Sequence, residues 1–290
     1  MILVTGASGN VGGAVLKQLI ADKQPVKALY RSKSDAAAAP AGVPVAIADF
    51  ADRASFAAAL EGIDRVLLVC GPIPQLVELE TNAIEVCRER RISQIVLNSA
   101  MGAGEFNSSF PSWHAKVEEM LKRSGVSYTI IRPNTFLQNI ATYYSGTIRQ
   151  QGAFYGSYGQ APIAYIDVRD IAAVIAAAIS GGEHLGKTYE LNGPEALTCD
   201  QVAAAISKKI GKQVRYVDLP PAEMKKSMLG LGMPEWQVDA LLELQRYYRE
   251  GGDGKTDSLV RNLIGRAPIT LDQYLRENLA AFTQPQAASA

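Results

Sequence analysis

The sequence has little of what usually announces a special scaffold. Its 290 residues hold three cysteines, Cys70, Cys87 and Cys199. They are too few and too widely spaced for a disulfide framework or a zinc pattern. They fit a reducing compartment, so the expected location is the cytoplasm. An excess of one charge sign is also missing, with 29 basic residues against 29 acidic ones. That balance argues against nucleic acid or an acidic membrane surface as a partner. No apolar run approaches the roughly 20 residues that span a bilayer. The opening MILVTGASG reads as a strand and a loop, not as a signal peptide. There are no internal repeats and no cluster of metal-ligating residues. What remains is 48% apolar and 20% charged, an ordinary composition for a soluble globular protein, long enough for one large domain or two small ones.

Strands and helices alternate through the first 135 residues. Apolar runs at 2–5, 26–30, 43–48, 65–70, 94–98 and 128–132 read as strands. Helical periodicity falls between them, at 10–21, 55–60, 74–90 and 112–124. That rhythm predicts parallel βαβ units in a doubly wound α/β sheet. Further on, helices are expected at 135–150, 167–180, 198–210 and in most of 222–282, with strands at 187–191 and 214–219. Thr198 and Gln201 form a capping-box pattern. The segment 152–162 reads as a Gly/Tyr loop. The expected organisation is a nucleotide-binding core, 1–135, to which 153–192 returns. A smaller, mostly helical lobe covers 193–282 with 136–152, and 283–290 forms a disordered tail. Ligands are expected in the crevice outside the carboxyl ends of the strands.

The most informative segment is Gly6-Ala7-Ser8-Gly9-Asn10-Val11-Gly12. It follows an apolar strand and opens an amphipathic helix, the context that gives a glycine triplet meaning. Gly6 turns the chain out of the strand, Gly9 lets backbone approach a pyrophosphate, and Gly12 allows close helix–strand packing. Ser8, Gly9, Asn10, Val11 and Gly12 then present backbone N–H groups and a helix N-terminus to phosphate. The second strand ends in Tyr30-Arg31-Ser32-Lys33, without the carboxylate that NAD sites usually place there. Arg31 can fork onto a 2′-phosphate and Lys33 adds charge, so the expected cofactor is NADPH. Asp49 follows the third strand, where it can meet the adenine amino group or cap the next helix. Cys70-Gly71 ends the fourth strand where the chain skirts the cofactor, and Cys70 reads as packed rather than reactive.

Three later segments carry a resemblance: Asn98-Ser99-Ala100, Trp113-His114-Ala115-Lys116-Val117-Glu118, and Tyr128-Thr129-Ile130-Ile131-Arg132-Pro133-Asn134 running on to Phe136-Leu137-Gln138-Asn139. The series resembles the NmrA-like family of atypical short-chain dehydrogenases/reductases over nearly the whole chain. That family includes NAD(P)H:quinone and triphenylmethane-dye reductases as well as non-catalytic redox sensors. One departure from the wider superfamily matters. Lys116 stands four residues after Ser112, so the region lacks Tyr-x-x-x-Lys. That argues against sugar epimerisation and alcohol oxidation, which need a proton taken from a hydroxyl.

The resemblance implies catalytic roles for His114, as cofactor contact or proton donor, and for Lys116, at the nicotinamide ribose. It adds Ser99, Pro133, Asn134 and Phe136 to the cofactor-binding residues. Phe136, Asn139, Tyr143, Tyr144, Phe154 and Tyr165 then form the expected substrate wall, where aromatic faces suit a flat acceptor. Core packing is the plainer alternative for the aromatics. Glu118 and Glu119 read as a helix face, Asp167 and Asp170 as caps, and Trp236, Tyr247 and Tyr248 as core. The expected function is NADPH-dependent reduction of a quinone-like or other conjugated, electron-poor small molecule, by a monomer or homodimer. The competing expectation is an NADP(H)-binding redox sensor acting through a protein partner.

Overall fold

In the computed structural model the described residues are 1–252 and 254–283. They fall into two compact units. The first comprises Met1–Pro133 and Val168–Leu191; the second takes Asn134–Asp167 and the residues from 192 onward.

The first unit runs β1 (Ile2–Val4), α1 (Asn10–Ala21), β2 (Val26–Tyr30), α2 (Lys33–Ala36), β3 (Val45–Ile47), α3 (Arg53–Ala59), β4 (Arg65–Leu68), α4 (Leu76–Glu89), β5 (Gln94–Asn98), α5 (Ser109–Arg123) and β6 (Tyr128–Pro133). The order of the seven-stranded sheet is β3-β2-β1-β4-β5-β6-β8, and every pairing is parallel. The inner strands are short and buried because helices cover both faces, whereas the edge strand β3 leaves Val45 and Ile47 exposed. One face carries the core of Leu3, Leu29, Val66, Leu68, Ile95, Leu97 and Ile130 under α3, α4 and α5. Across the sheet, the Ala-rich α7 (Val168–Ser180) packs closely on α1. The winding direction reverses between β1 and β4, the switch point where such sheets bind ligands. There the buried Thr5 hydroxyl accepts a 2.8 Å hydrogen bond from the Val69 N–H, tying the two strand ends together.

The second unit contains a π-helical turn (Ile140–Tyr144), α6 (Ser145–Gln151), β7 (Ala153–Gly156), α8 (Cys199–Ile210), β9 (Arg215–Asp218), α9 (Pro221–Gly230), α10 (Glu235–Arg249), α11 (Leu259–Ile264), α12 (Leu271–Glu277) and α13 (Leu279–Thr283). Strand β8 (Thr188–Leu191) completes the large sheet beside β6. The capping box forms at α8, with Gln201 N–H donating to Thr198 Oγ1 and the Gln201 side chain accepting from Thr198 N–H.

Three expectations need correction. The loop at 152–162 contains β7, which pairs in parallel with β9. Its apolar residues Ala153 and Phe154 are covered by that pairing, so residues 153–167 belong to the second unit and not to the sheet core. The helix expected over 135–150 begins only after an irregular stretch with a β-bridge from Phe136 to Ile166. It then opens with the π-helical turn, a feature frequent at functional sites. A short helix, α2, stands between β2 and β3, where no helix is expected; Ser32 caps it by accepting from Asp35 N–H. The tail expected at 283–290 lies outside the described residues beyond Thr283.

Candidate functional site

The glycine loop stands at the carboxyl end of β1. Gly6 adopts φ +60, a left-handed conformation that favours glycine. Gly9 N–H donates to Gly6 O at 2.9 Å and closes the turn. A Cβ on Gly12 would fall 2.2 Å from Gly6 O and 2.6 Å from Thr5 O, so the first turn of α1 lies against the loop backbone. Ser8, Gly9 and Asn10 are exposed at the tip. Two features make this helix end unlike that of α8. Gly9, at the N-cap, provides no capping side chain, and the first turn holds no acidic residue. Its leading N–H groups and positive dipole end therefore remain for an external anion.

Arg31, Asp49 and Cys70 follow β2, β3 and β4 and come together. Both Arg31 and Asp49 act electrostatically on the Cys70 thiol. Arg31 is exposed, and the described residues offer it no ion pair, so its fork is available to a phosphate. Asp49 receives Ala51 N–H at 2.9 Å in a tight turn. The cap of α3 is Asp52, which accepts from Ala54 and Ser55, so the capping alternative for Asp49 falls away. Burial, with Glu80 close by, pushes the Cys70 thiol up to about 12, so it stays protonated. Gly71 is exposed, with open space around its α-carbon.

The end of β5 and the start of α5 carry buried polar atoms without hydrogen-bond partners: Asn98 Oδ1, Ser108 Oγ and His114 Nδ1. Such atoms are rare in folded interiors and each calls for an explanation. Asn98 closes β5, Ser108 is the N-cap of α5 and His114 lies in its second turn, and their free polar atoms fit a cofactor's polar end. Burial lowers His114 to about 4, against a weaker opposite pull from Glu118. His114 is therefore neutral at pH 7. In that form it can hold a hydrogen bond to a cofactor. Lys116 is exposed and, among the described residues, has no ion pair.

The His114 shift has a stability consequence. An unfolded imidazole takes up a proton below about 6.5; the folded one does so only below about 4. The unfolded state therefore binds more protons between those values, and folding stability falls as pH drops through that window. This group contributes a slope approaching about 1.4 kcal/mol per pH unit. The denaturant midpoint should fall less steeply from pH 6.5 to 4.5 in His114→Gln than in wild type. Identical slopes would show that the imidazole is not held neutral.

Two acidic residues escaped sequence reading. Glu118, expected on a solvated helix face, is buried and accepts from Ser99 and Arg132. Ser99 thus spends its hydroxyl on Glu118. Glu80 on α4 is fully buried with no hydrogen bond to either oxygen, although the Cys70 amide favours its charged form. Burial outweighs that amide and drives the carboxyl well above the usual range. An i,i+4 pattern with Lys122 hid the first; nothing in the sequence marks the second.

In the second unit, Asn134 is the centre of a buried network. Its Oδ1 accepts from Tyr248 OH and from Thr135 N–H, both at 2.7 Å. Its Nδ2 donates to Asn192 Oδ1 at 2.8 Å, and Asn192 Nδ2 donates on to Asp257 at 3.3 Å. Tyr248, expected as plain core, is thus a polar partner of the loop carrying Phe136. Phe136 and Asn139 are half-buried, and Tyr143 is 55% exposed. Phe154 and Tyr165 are corrected as members of a substrate wall. Phe154 is 1% exposed and stacks on Tyr144 at 4.8 Å. Tyr165 is buried with its hydroxyl 4.0 Å from Cys199 Sγ. The β7–β9 pairing turns that cluster inward, leaving Phe154 no face for a ligand. No group of three or more metal-ligating side chains occurs among the described residues, and none of their helices is long and apolar enough to cross a membrane.

The chain is similar to known proteins along nearly its whole length. The chain is 32% identical over 284 residues to an NAD(P)H azoreductase of Xenophilus azovorans, covering 97% of this chain and 99% of the relative. It is 30% identical over 275 residues to quinone oxidoreductase 2 of Escherichia coli, covering 93% and 96%. The solved NADPH complex of an Escherichia coli NADPH-dependent quinone oxidoreductase superposes with a TM-score of 0.88 at 30% identity, covering 96% of this chain and all of that one. The profile of the NmrA-like family matches residues 1–276, and the chain belongs to that family.

Proposed function

We infer that the protein is an NADPH-dependent reductase of quinone-like, azo or other conjugated, electron-poor small molecules, acting in the cytoplasm. The observation that carries the reading is the uncapped, acid-free N-terminus of α1 beneath the glycine loop, with Arg31 free at the end of β2. Azoreductase and quinone reductase relatives at 30% identity or more support the acceptor class. The free thiols of Cys70, Cys87 and Cys199 suit a reducing compartment.

The nucleotide, when bound, supplies a hydride. The residues of this chain do the positioning. Gly6 to Gly12 receive the pyrophosphate, Arg31 and Lys33 the 2′-phosphate, and Asp49, Cys70 and Gly71 border the adenosine end. In the first unit Ser99, His114, Lys116 and Pro133 are proposed for the nicotinamide end; in the second unit Asn134 and Phe136 are proposed for cofactor binding, and Asn139, Tyr143 and Tyr144 for the acceptor. Among these residues none is a strong general acid. His114 is neutral, and burial raises Tyr144 and Tyr165 above the ordinary phenol value. Conjugated acceptors tolerate this, because the charge left on the product is delocalised and water completes protonation. Orientation is then the main source of rate.

The test is the pH profile of NADPH oxidation with a soluble quinone. The reading predicts kcat that is flat from pH 6 to 8, since His114 does not titrate there. A fall in kcat with a midpoint near the ordinary histidine value would make a charged imidazole essential and contradict it.

A further inference from the structure

Glu118 lies 2% exposed on α5, among more polar partners than a stabilising role needs. Oε1 accepts from Ser99 Oγ at 2.7 Å and from Arg132 Nε at 2.8 Å. Oε2 accepts from Arg132 Nη2 at 2.8 Å and from Lys122 Nζ at 3.2 Å. Arg132 turns its remaining nitrogen to Glu190 on β8 at 3.0 Å. Two carboxylates thus meet two cations: Glu118 of α5 joins the carboxyl ends of β5 and β6, and Arg132 of β6 passes the link on to β8. Ser99 N–H also donates to Ile131 O at 2.7 Å, which draws the ends of β5 and β6 together.

Stability does not account for this cluster. A buried ion pair contributes about as much as well-packed apolar residues of the same size, and often less. What it adds is fixed geometry: the Arg132 fork and the Ser99 hydroxyl allow Glu118 one orientation. That geometry sits at the edge where ligands are expected. Glu118 is also one helical turn from His114 on the same buried face of α5, close enough for its charge to act on the imidazole. Finally, it engages the side-chain hydroxyl that closes β5.

We propose that Glu118 is a positioning residue for the reduction: its carboxylate locks the end of β5 to β6 and fixes the turn of α5 that carries His114. The proposal rests on the reading of that edge as the nicotinamide and acceptor site. Glu118 does not touch the reacting atoms; it acts through Ser99 and His114.

Three variants and one spectroscopic readout test it. Glu118→Gln keeps the shape and removes the charge. It should lower kcat roughly ten- to a hundredfold, as expected for slight misplacement of reacting groups, while the Kd for NADPH stays within about twofold. Ser99→Ala removes only the link to β5 and should lower kcat in the same direction. Because Glu118→Gln leaves Arg132 with Glu190 as its remaining carboxylate partner, the double variant Glu118→Leu with Arg132→Leu guards against a folding artefact. It should melt close to wild type and still lose kcat. The chain has two histidines, His114 and His184, so NMR resolves them readily. The His114 titration should move further down in Glu118→Gln, with His184 unmoved. Wild-type kcat in the double variant, an unmoved His114 titration, or parallel loss of kcat and NADPH affinity would overturn the proposal. If wild type turned over no acceptor, the reductase reading would fail, while the His114 resonance would still report on the clamp.

Discussion

Gly12→Ala should abolish binding of NADPH and NADH alike, by more than about a hundredfold, and should lower thermal stability as well. The added Cβ would meet Gly6 O at 2.2 Å, Gly6 C at 2.5 Å and Thr5 O at 2.6 Å. All three belong to backbone at the end of β1, and none can rotate away. The helix must lift from the strand, which moves the N–H groups of its first turn off the phosphate position and adds an overpacking cost of about 1–3 kcal/mol. Gly9→Val is the informative partner. A Cβ there meets only Gly6 O, at 3.3 Å, so the fold should tolerate it. Its obstruction falls on the exposed side, where a pyrophosphate must approach the backbone. Isothermal titration and thermal melting of both variants separate the two effects. The account expects Gly12→Ala to lose binding and stability together, and Gly9→Val to lose binding with the melting temperature held. Normal binding in Gly12→Ala would mean that the loop does not hold the cofactor.

Arg31→Ala should weaken NADPH by about 1.5–3 kcal/mol, or roughly ten- to a hundredfold in Kd, the range for hydrogen bonds to a charged group. NADH should be nearly unaffected. Arg31 follows a strand whose end carries no carboxylate, and it is exposed without an ion pair among the described residues. Truncation therefore releases no buried partner and breaks no structural contact, and the loss reports on the ligand alone. Competition titrations of the two nucleotides measure it directly. Equal loss for both would move Arg31 from the 2′-phosphate to the adenine or ribose. No loss for either would leave Lys33 as the remaining cation at that strand end.

Local signals made the first unit legible. Each strand from β1 to β6 is a short apolar run bounded by turn residues, and each intervening helix except the four-residue α2 shows its own periodicity, so the parallel sheet follows from adjacent sequence. The glycine loop was readable for the same reason: the strand before it and the helix after it lie within twenty residues. Long-range pairing is where the reading stopped. In β7, Ala-Phe-Tyr-Gly resembles a loop until β9 arrives some sixty residues later to cover it. Phe154 and Tyr165 looked like a substrate wall because clustered aromatics mark either a wall or a core. Only the partner strand and helix decide between the two.

The polar residues show the same limit. Glu118 and Lys122 form an i,i+4 pair that reads as a solvated face, and that pair does exist. Ser99 and Arg132, which define its role, are 19 and 14 residues away. Asn134 was singled out by its place after β6, but its amide is engaged by Tyr248, which is 114 residues distant. His114 was legible as a candidate and its charge state was not, because neutrality follows from burial that only the folded chain provides.

The central claim is that the glycine loop and Arg31 hold NADPH for hydride delivery to a conjugated acceptor. Titration of the purified protein with NADPH and NADH, followed by NADPH oxidation across quinones, azo compounds and cationic dyes, tests it most directly. The account predicts tighter binding of NADPH than of NADH and turnover of at least one acceptor class. Tight NADPH binding with no turnover on any acceptor would contradict the reductase reading, and equal affinity for the two nucleotides would contradict the assignment of Arg31.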